Sequence, residues 1–247
     1  MRETTDATAG NAGRGTPGPA AGDTAPGEPA APVTIAPGPR DDGPDAGATI
    51  VGSRVFTDRW IGVLLTIGSA IALVASFQLS LDKIRLLENP DYTPACNFSI
   101  LMSCKSVINS EQGAAFGFPN PFIGLIGYGI VIAIGVAALS GVRFPRWYWV
   151  GALLGLTFAA GFVHWLAFQS IFSIQVLCPW CMVVWATTIP MFWYTLLHVL
   201  AKLTAARWVR TLQSWHLVPV VVWFLAVAGV ILWAFWDFYW ADFFANL

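Results

Sequence analysis

Residues 147–200 read WYWVGALLGLTFAAGFVHWLAFQSIFSIQVLCPWCMVVWATTIPMFWYTLLHVL, 54 residues without one Asp, Glu, Lys or Arg. A helix needs about 20 predominantly apolar residues to cross the hydrocarbon core of a bilayer. The stretch is too long for one crossing and long enough for two, with a break expected where Cys178 and Pro179 interrupt it. Three more uncharged runs flank it: 22 residues from Trp60 to Leu81, 20 from Phe122 to Gly141 and 20 from Leu217 to Trp236. The reading is an all-α integral membrane protein with five spans. Composition agrees, since only 11% of residues are charged, against roughly 25% in a soluble domain. The net charge of −1 is no argument for nucleic acid, which is not expected as a partner; the lipid bilayer is.

The few charges set an expected orientation. Arg54 and Arg59 precede span one, Arg143 and Arg146 separate spans two and three, and Lys202, Arg207 and Arg210 separate spans four and five. The connection before Cys178 has no Lys or Arg, and the tail after Trp236 carries only Asp237 and Asp242. By the positive-inside rule the N-terminus is cytoplasmic and the C-terminus outside. The long loop expected over Asp82–Pro121 carries charges of both signs, and the alternation of the other loops places it outside.

Residues 1–53 differ in kind. The first 50 hold eight of the sixteen prolines and nine glycines, with no aromatic residue before Phe56. Such a segment cannot bury enough apolar surface to offset its ordering entropy, so a disordered cytoplasmic tail is expected. It lacks the continuous apolar stretch of a signal peptide. Residues 54–203 are read as a four-helix core and 204–247 as an inner loop, a fifth transmembrane helix and an outer tail. Within the long loop, Lys105–Ala115 suggests a short amphipathic helix at the membrane surface.

All four cysteines, Cys96, Cys104, Cys178 and Cys181, fall on the outer side of this topology. In an oxidising compartment cysteines persist as disulfides, and spacing suggests two pairs, Cys96 with Cys104 and Cys178 with Cys181. The second is the sharper signal. Pro179 suits the first position of span four, and a thiol at a helix N-terminus has a depressed pKa. Cys181 lies one turn deeper, so Cys178 is expected to face water and Cys181 something lipid-soluble. Two other readings stay open here: Cys96–Cys104 as a structural loop staple, and a zinc site, although no histidine is near the cysteines.

In combination these features resemble the vitamin K epoxide reductase family in its bacterial, disulfide-forming type, the functional analogue of DsbB. The resemblance covers about residues 57–200. It rests on Cys96 and Cys104, on Ser110 six residues after Cys104, on the Asn120-Pro-Phe-Ile-Gly run opening span two, and on Cys178-Pro-Trp-Cys181 opening span four. It implies a bundle that holds a quinone (menaquinone or ubiquinone) beside Cys181. Asn120 would donate to a quinone carbonyl and Ser110 would assist the thiolate–quinone step. Many animal members carry a tyrosine four residues after the second CxxC cysteine; this chain has Trp185, whose N–H is a possible substitute donor. Some bacterial relatives carry a thioredoxin-like domain after the fifth span. Here Leu247 follows about ten residues after it, so the expected thiol partner is a separate extracytoplasmic DsbA-like or thioredoxin-fold protein. DsbB itself has its CxxC in the first outer loop, the reverse of the order here.

The implied electron path runs from partner dithiol to Cys96–Cys104, then to Cys178–Cys181, then to quinone, by thiolate attack through mixed disulfides. Two rival classes predict differently. A small transporter with structural disulfides should carry ionisable groups at mid-membrane, where only His164 qualifies. A scaffold should be indifferent to changes in the CxxC.

Overall fold

The computed structural model describes residues 57–99 and 101–236. The N-terminal tail expected to be disordered, Arg54, Ile100 and the segment after Trp236 lie outside the described residues. Five helices are long and apolar enough to cross a membrane: α1 (Asp58–Glu88), α3 (Asn120–Leu139), α4 (Arg146–Phe168), α5 (Pro179–Leu203) and α7 (Leu217–Ala234). Short helices α2 (Cys104–Ile108) and α6 (Arg207–Ser214) lie between them. The expected all-α membrane architecture is the one found.

Local chemistry sets the ends. Thr57 caps α1 by accepting from the Trp60 N–H at 3.3 Å, satisfying one of the donors a helix start leaves open. Pro179 occupies the first turn of α5, with the Cys178 side chain as its cap. The last turn of α4 widens into a π-helical segment, Gln169–Ile174, and Gln175 then turns left-handed at φ 55°. This re-aims residues 176–178 across the end of the bundle. It is the break anticipated within the uncharged stretch.

Four helices form the core. α3 packs on α1, α1 on α5 and α5 on α4. Small residues bring the first pair close: a Cβ added at Gly135 would sit 2.7 Å from the Thr66 backbone nitrogen, and one at Gly62 only 2.9 Å from the Gly135 carbonyl oxygen. Close backbone approach is how membrane helices gain van der Waals contact, because lipid leaves no hydrophobic drive between them. Away from the contacts, Val63, Ile67, Ile71 and Val74 of α1 are exposed at spacings of three and four. In water such a stripe would be a liability; in a bilayer it is the lipid face.

At the end of the bundle opposite the cysteines, Asp58 pairs with Lys202 at 2.8 Å and His198 at 3.0 Å, tying α1 to α5. The fifth spanning helix is peripheral. Trp223 Nε1 of α7 donates to His164 Nε2 of α4 at 2.7 Å, and His164 Nδ1 lies 2.7 Å from the Ala160 carbonyl. Because tryptophan only donates, Nε2 is the acceptor and Nδ1 carries the proton. Both ring nitrogens of His164 are thus engaged, one of them tying α7 to α4.

Two sequence expectations are corrected. The long loop does not begin at Asp82, because α1 continues to Glu88. Asp82, Lys83 and Arg85 all find partners: Asp82 accepts from Tyr92, Lys83 donates to the Ile108 carbonyl and Asn109, and Arg85 donates to Tyr92. Charges satisfied in this way need not end the helix. Nor is Lys105–Ala115 a single amphipathic helix. It is α2 followed by a 3₁₀ turn, Glu111–Ala114, with the break at Ser110, whose side chain caps the second piece.

Candidate functional site

The long loop folds back over the mouth of the bundle, and one backbone register decides where its cysteines go. Met102 and Leu177 form an isolated parallel bridge. The Leu177 N–H donates to the Leu101 carbonyl at 2.7 Å, and the Ser103 N–H to the Leu177 carbonyl at 3.0 Å. Cys104 follows Met102 by two residues and Cys178 follows Leu177 by one. The bridge therefore brings the two sulfurs to 3.4 Å of each other across 74 residues of sequence. Ser103 caps α2 by accepting from the Ser106 N–H, which fixes the direction of Cys104.

Cys96 and Cys104 are joined in a disulfide with Cα atoms 5.8 Å apart, while Cys178 and Cys181 are free thiols. A site made of four thiolates has no ligand set here, because two of the sulfurs are bonded to each other. The Cys178 thiol is held below its ordinary value. The hydrogen bond from the Cys181 thiol is the main cause, aided by the backbone N–H groups of Cys181 and Trp180 at the start of α5. Burial and the Asp82 carboxylate oppose the shift. The Cys181 N–H lies 3.4 Å from the Cys178 sulfur, the geometry by which a helix N-terminus stabilises an anion.

Exposure differs from the sequence reading. Cys178 was expected to face water, but it is fully buried, with Leu79, Leu86, Cys96, Cys104 and Ile108 around it. Cys96 is also buried, at 4% exposure. The loop roofs over all three sulfurs because its apolar residues Val107 and Ile108 pack into the bundle end. Cys181 is partly exposed, into a cavity.

That cavity, about 480 Å³, lies between α3 and α4. It falls within the usual 300–1,000 Å³ of small-molecule sites. Its walls are almost wholly apolar, with Ile130, Ile134, Leu156 and Phe162 among them, and it reaches Trp147 and Tyr148 at the far end. Polar groups gather at the cysteine end, where Cys181, Ser110 and Asn120 line it. Trp185, one turn below Cys181, lines it too and is itself 3% exposed.

The two polar candidates are already engaged. The Ser110 hydroxyl donates to the Val107 carbonyl at 2.8 Å and accepts from the Gly113 N–H at 3.1 Å. Its single hydrogen is spent. Asn120 accepts from the Ala115 N–H at 3.0 Å and donates to the Gln112 carbonyl at 2.6 Å. An amide nitrogen has two hydrogens, so Asn120 keeps one donor in reserve. Both residues shape the rim by holding the 3₁₀ turn, and only Asn120 retains an N–H to offer.

A family model described as "Vitamin K epoxide reductase family" matches residues 63–196. The chain belongs to the vitamin K epoxide reductase family. The match takes in most of α1, the loop, α3, α4 and most of α5, and leaves α6 and α7 outside it. No curated protein matches the chain. Family membership makes this a membrane redox enzyme of thiols and quinones.

Sequence reasoning missed Asp82 and Tyr92, which the structure brings to the cysteines. Asp82 is buried in the last turns of α1, with Oδ1 accepting from the Tyr92 hydroxyl at 3.0 Å and Oδ2 4.0 Å from the Cys96 sulfur. A signal existed. Asp82 lies on the helical stripe between Leu79 and Leu86, but taking the helix to end at Leu81 hid that periodicity.

Proposed function

We infer that this protein reoxidises an extracytoplasmic thioredoxin-fold, DsbA-like partner and passes the electrons to a membrane quinone, menaquinone or ubiquinone, in support of disulfide formation. The observation that carries this reading is the 3.4 Å approach of Cys104 to Cys178, with Cys181 opening onto an apolar cavity. The partner's thiolate attacks Cys96 and frees Cys104. Cys104 attacks Cys178 of the second disulfide and releases Cys181. The partner's second thiol displaces Cys96 from the mixed disulfide, and the partner leaves oxidised. Cys96 then closes on Cys104 and releases Cys178, so that Cys178 and Cys181 end reduced. The disulfide and thiols of the structure correspond to that product. A structural staple explains the Cys96–Cys104 bond equally well, but not the second sulfur against it.

A quinone head group fits the cysteine end of the cavity, where Cys181 and the spare Asn120 N–H sit; when bound it supplies a two-electron, two-proton acceptor. Cys178 serves as leaving group and its stabilised thiolate suits that role, since a lower leaving-group pKa speeds exchange. Ser110 and Trp185 shape the head-group end. In this reading residues 54–203 are the catalytic core, residues 204–247 supply the fifth span, the cysteine end faces outward and the N-terminus is cytoplasmic.

The test is quinone reduction by the purified full chain given a reduced thioredoxin-fold protein, followed by quinone absorbance. Cys181→Ser should abolish it while Cys96–Cys104 still exchanges with the partner. Normal turnover by that variant would refute the assignment.

A further inference from the structure

Cys96 must be able to act as a nucleophile after the Cys104–Cys178 link forms, yet it is buried beside a carboxylate. Asp82 is 6% exposed. Among the described residues no Lys or Arg makes an ion pair with it; the Arg85 guanidinium donates instead to the Tyr92 hydroxyl, at 3.1 Å. A buried carboxylate without an ion pair is costly, and here it is held at the one sulfur that has to lose a proton.

We propose that Asp82 is the general base of the internal relay, accepting the Cys96 thiol proton as Cys96 attacks the Cys104–Cys178 disulfide, with Tyr92 as the residue that positions it. This rests on the relay just described. In the step, Cys96–SH gives its proton to the Asp82 carboxylate and its sulfur bonds to Cys104. The Cys104–Cys178 bond breaks and Cys178 leaves as thiolate with the electron pair. No outside oxidant or reductant enters, and the proton on Asp82 is later lost to water. The product is the arrangement found: Cys96 bonded to Cys104, and a Cys178 thiol 3.4 Å away.

The surroundings leave this task to Asp82. From α1, Lys83 is turned to the Ile108 carbonyl and Asn109, Arg85 to Tyr92, and Glu88 is exposed. From the loop come Tyr92, which donates to Asp82, and Asp91, which is exposed. From α2, Lys105 donates to the Pro90 carbonyl at 2.7 Å. Cys104 and Cys178 are the reacting sulfurs. None of the other charged groups contacts Cys96. Tyr92 packs over the cysteine cluster, and its hydroxyl occupies Oδ1, which leaves Oδ2 for the sulfur.

The experiment follows the full chain mixed with a reduced thioredoxin-fold protein, acid-quenched, alkylated and read by peptide mass spectrometry for the Cys104–Cys178 link. Asp82→Asn still accepts from Tyr92 and keeps its shape. Its resolution step at neutral pH should slow by about 10²-fold or more, the usual contribution of a general base, so the link accumulates. Raising the pH through the thiol range, about 8.5 for an unperturbed cysteine, should clear it, because Cys96 then ionises unaided. Asp82→Glu should restore much of the rate. A double variant, Asp82→Ala with Tyr92→Phe, removes both polar partners together and should show the same pH rescue, which covers poor folding of the Asn protein. Wild-type kinetics in the neutral variants, or an accumulation that high pH does not clear, would overturn the proposal. Cys96→Ala separates this from the relay itself. It must form the Cys104–Cys178 link on oxidation; if it does not, the relay fails, whereas a linked Cys96→Ala with a normal Asp82→Asn condemns only the role of Asp82.

Discussion

Replace Cys96 and Cys181 by Ala, and only Cys104 and Cys178 remain. Their sulfurs stand 3.4 Å apart, and a disulfide is about 2.05 Å long, so closure needs a movement of 3.4 − 2.05, or about 1.4 Å, within the range of side-chain torsions. Well-oriented intramolecular reactions reach effective concentrations of about 10⁵–10⁸ M. Even a value of about 1 M would outcompete a millimolar external thiol by about a thousandfold, or ~4 kcal/mol. The doubly substituted protein, oxidised with glutathione disulfide, should therefore form an internal Cys104–Cys178 bond that millimolar reduced glutathione does not open. Non-reducing electrophoresis with peptide mass spectrometry reads this directly. The matching control, Cys104→Ala with Cys181→Ala, leaves Cys96 and Cys178 and should instead carry mixed disulfides with glutathione. A folded Cys96/Cys181 variant that carries glutathione on Cys104 and shows no internal link would refute the reasoning, because the contact would then not be one the chain can use.

Three further outcomes are expected. Cys178 is held below the ordinary thiol range chiefly by the Cys181 thiol, so its thiolate is present above that lowered value and is lost as pH falls through it, taking with it the stability the shift confers; Cys181→Ala should move the inflection of thiolate ultraviolet absorption upward, and Cys181→Ser, which keeps a donor, should move it less. Gly135→Ala places a Cβ 2.7 Å from the Thr66 nitrogen and should cost about 1–3 kcal/mol in detergent unfolding, while Gly127→Ala, with nothing within 4 Å, should be near neutral. Asn120→Ala should raise the quinone KM by removing the spare N–H, whereas Ser110→Ala should chiefly lower stability, by about 0.5–2 kcal/mol for a lost cap.

What the sequence determined by itself was everything that depends on hydrophobic length and on neighbours along the chain. Long uncharged runs have one physical outlet, a bilayer-spanning helix, so all five spans could be read from residues alone. Cys178 as cap and Pro179 in the first turn were legible because a helix start is a local event. Burial was not legible. Cys178 was expected at water and, together with Cys96, is roofed by Val107 and Ile108, which respond to a surface made by α1 and α5 rather than to their own neighbours. Helix ends were misjudged for the same reason: Asp82 stays helical because Tyr92, ten residues on, supplies its hydrogen bond. The contact on which the chemistry depends is the least local of all. Two backbone hydrogen bonds between Leu177 and the chain at Leu101 and Ser103 set the distance from Cys104 to Cys178. Any residues could make those bonds, because they use only main-chain N–H and C=O groups, so no pattern of side chains announces them, and only the folded loop lying across the bundle end could bring them together.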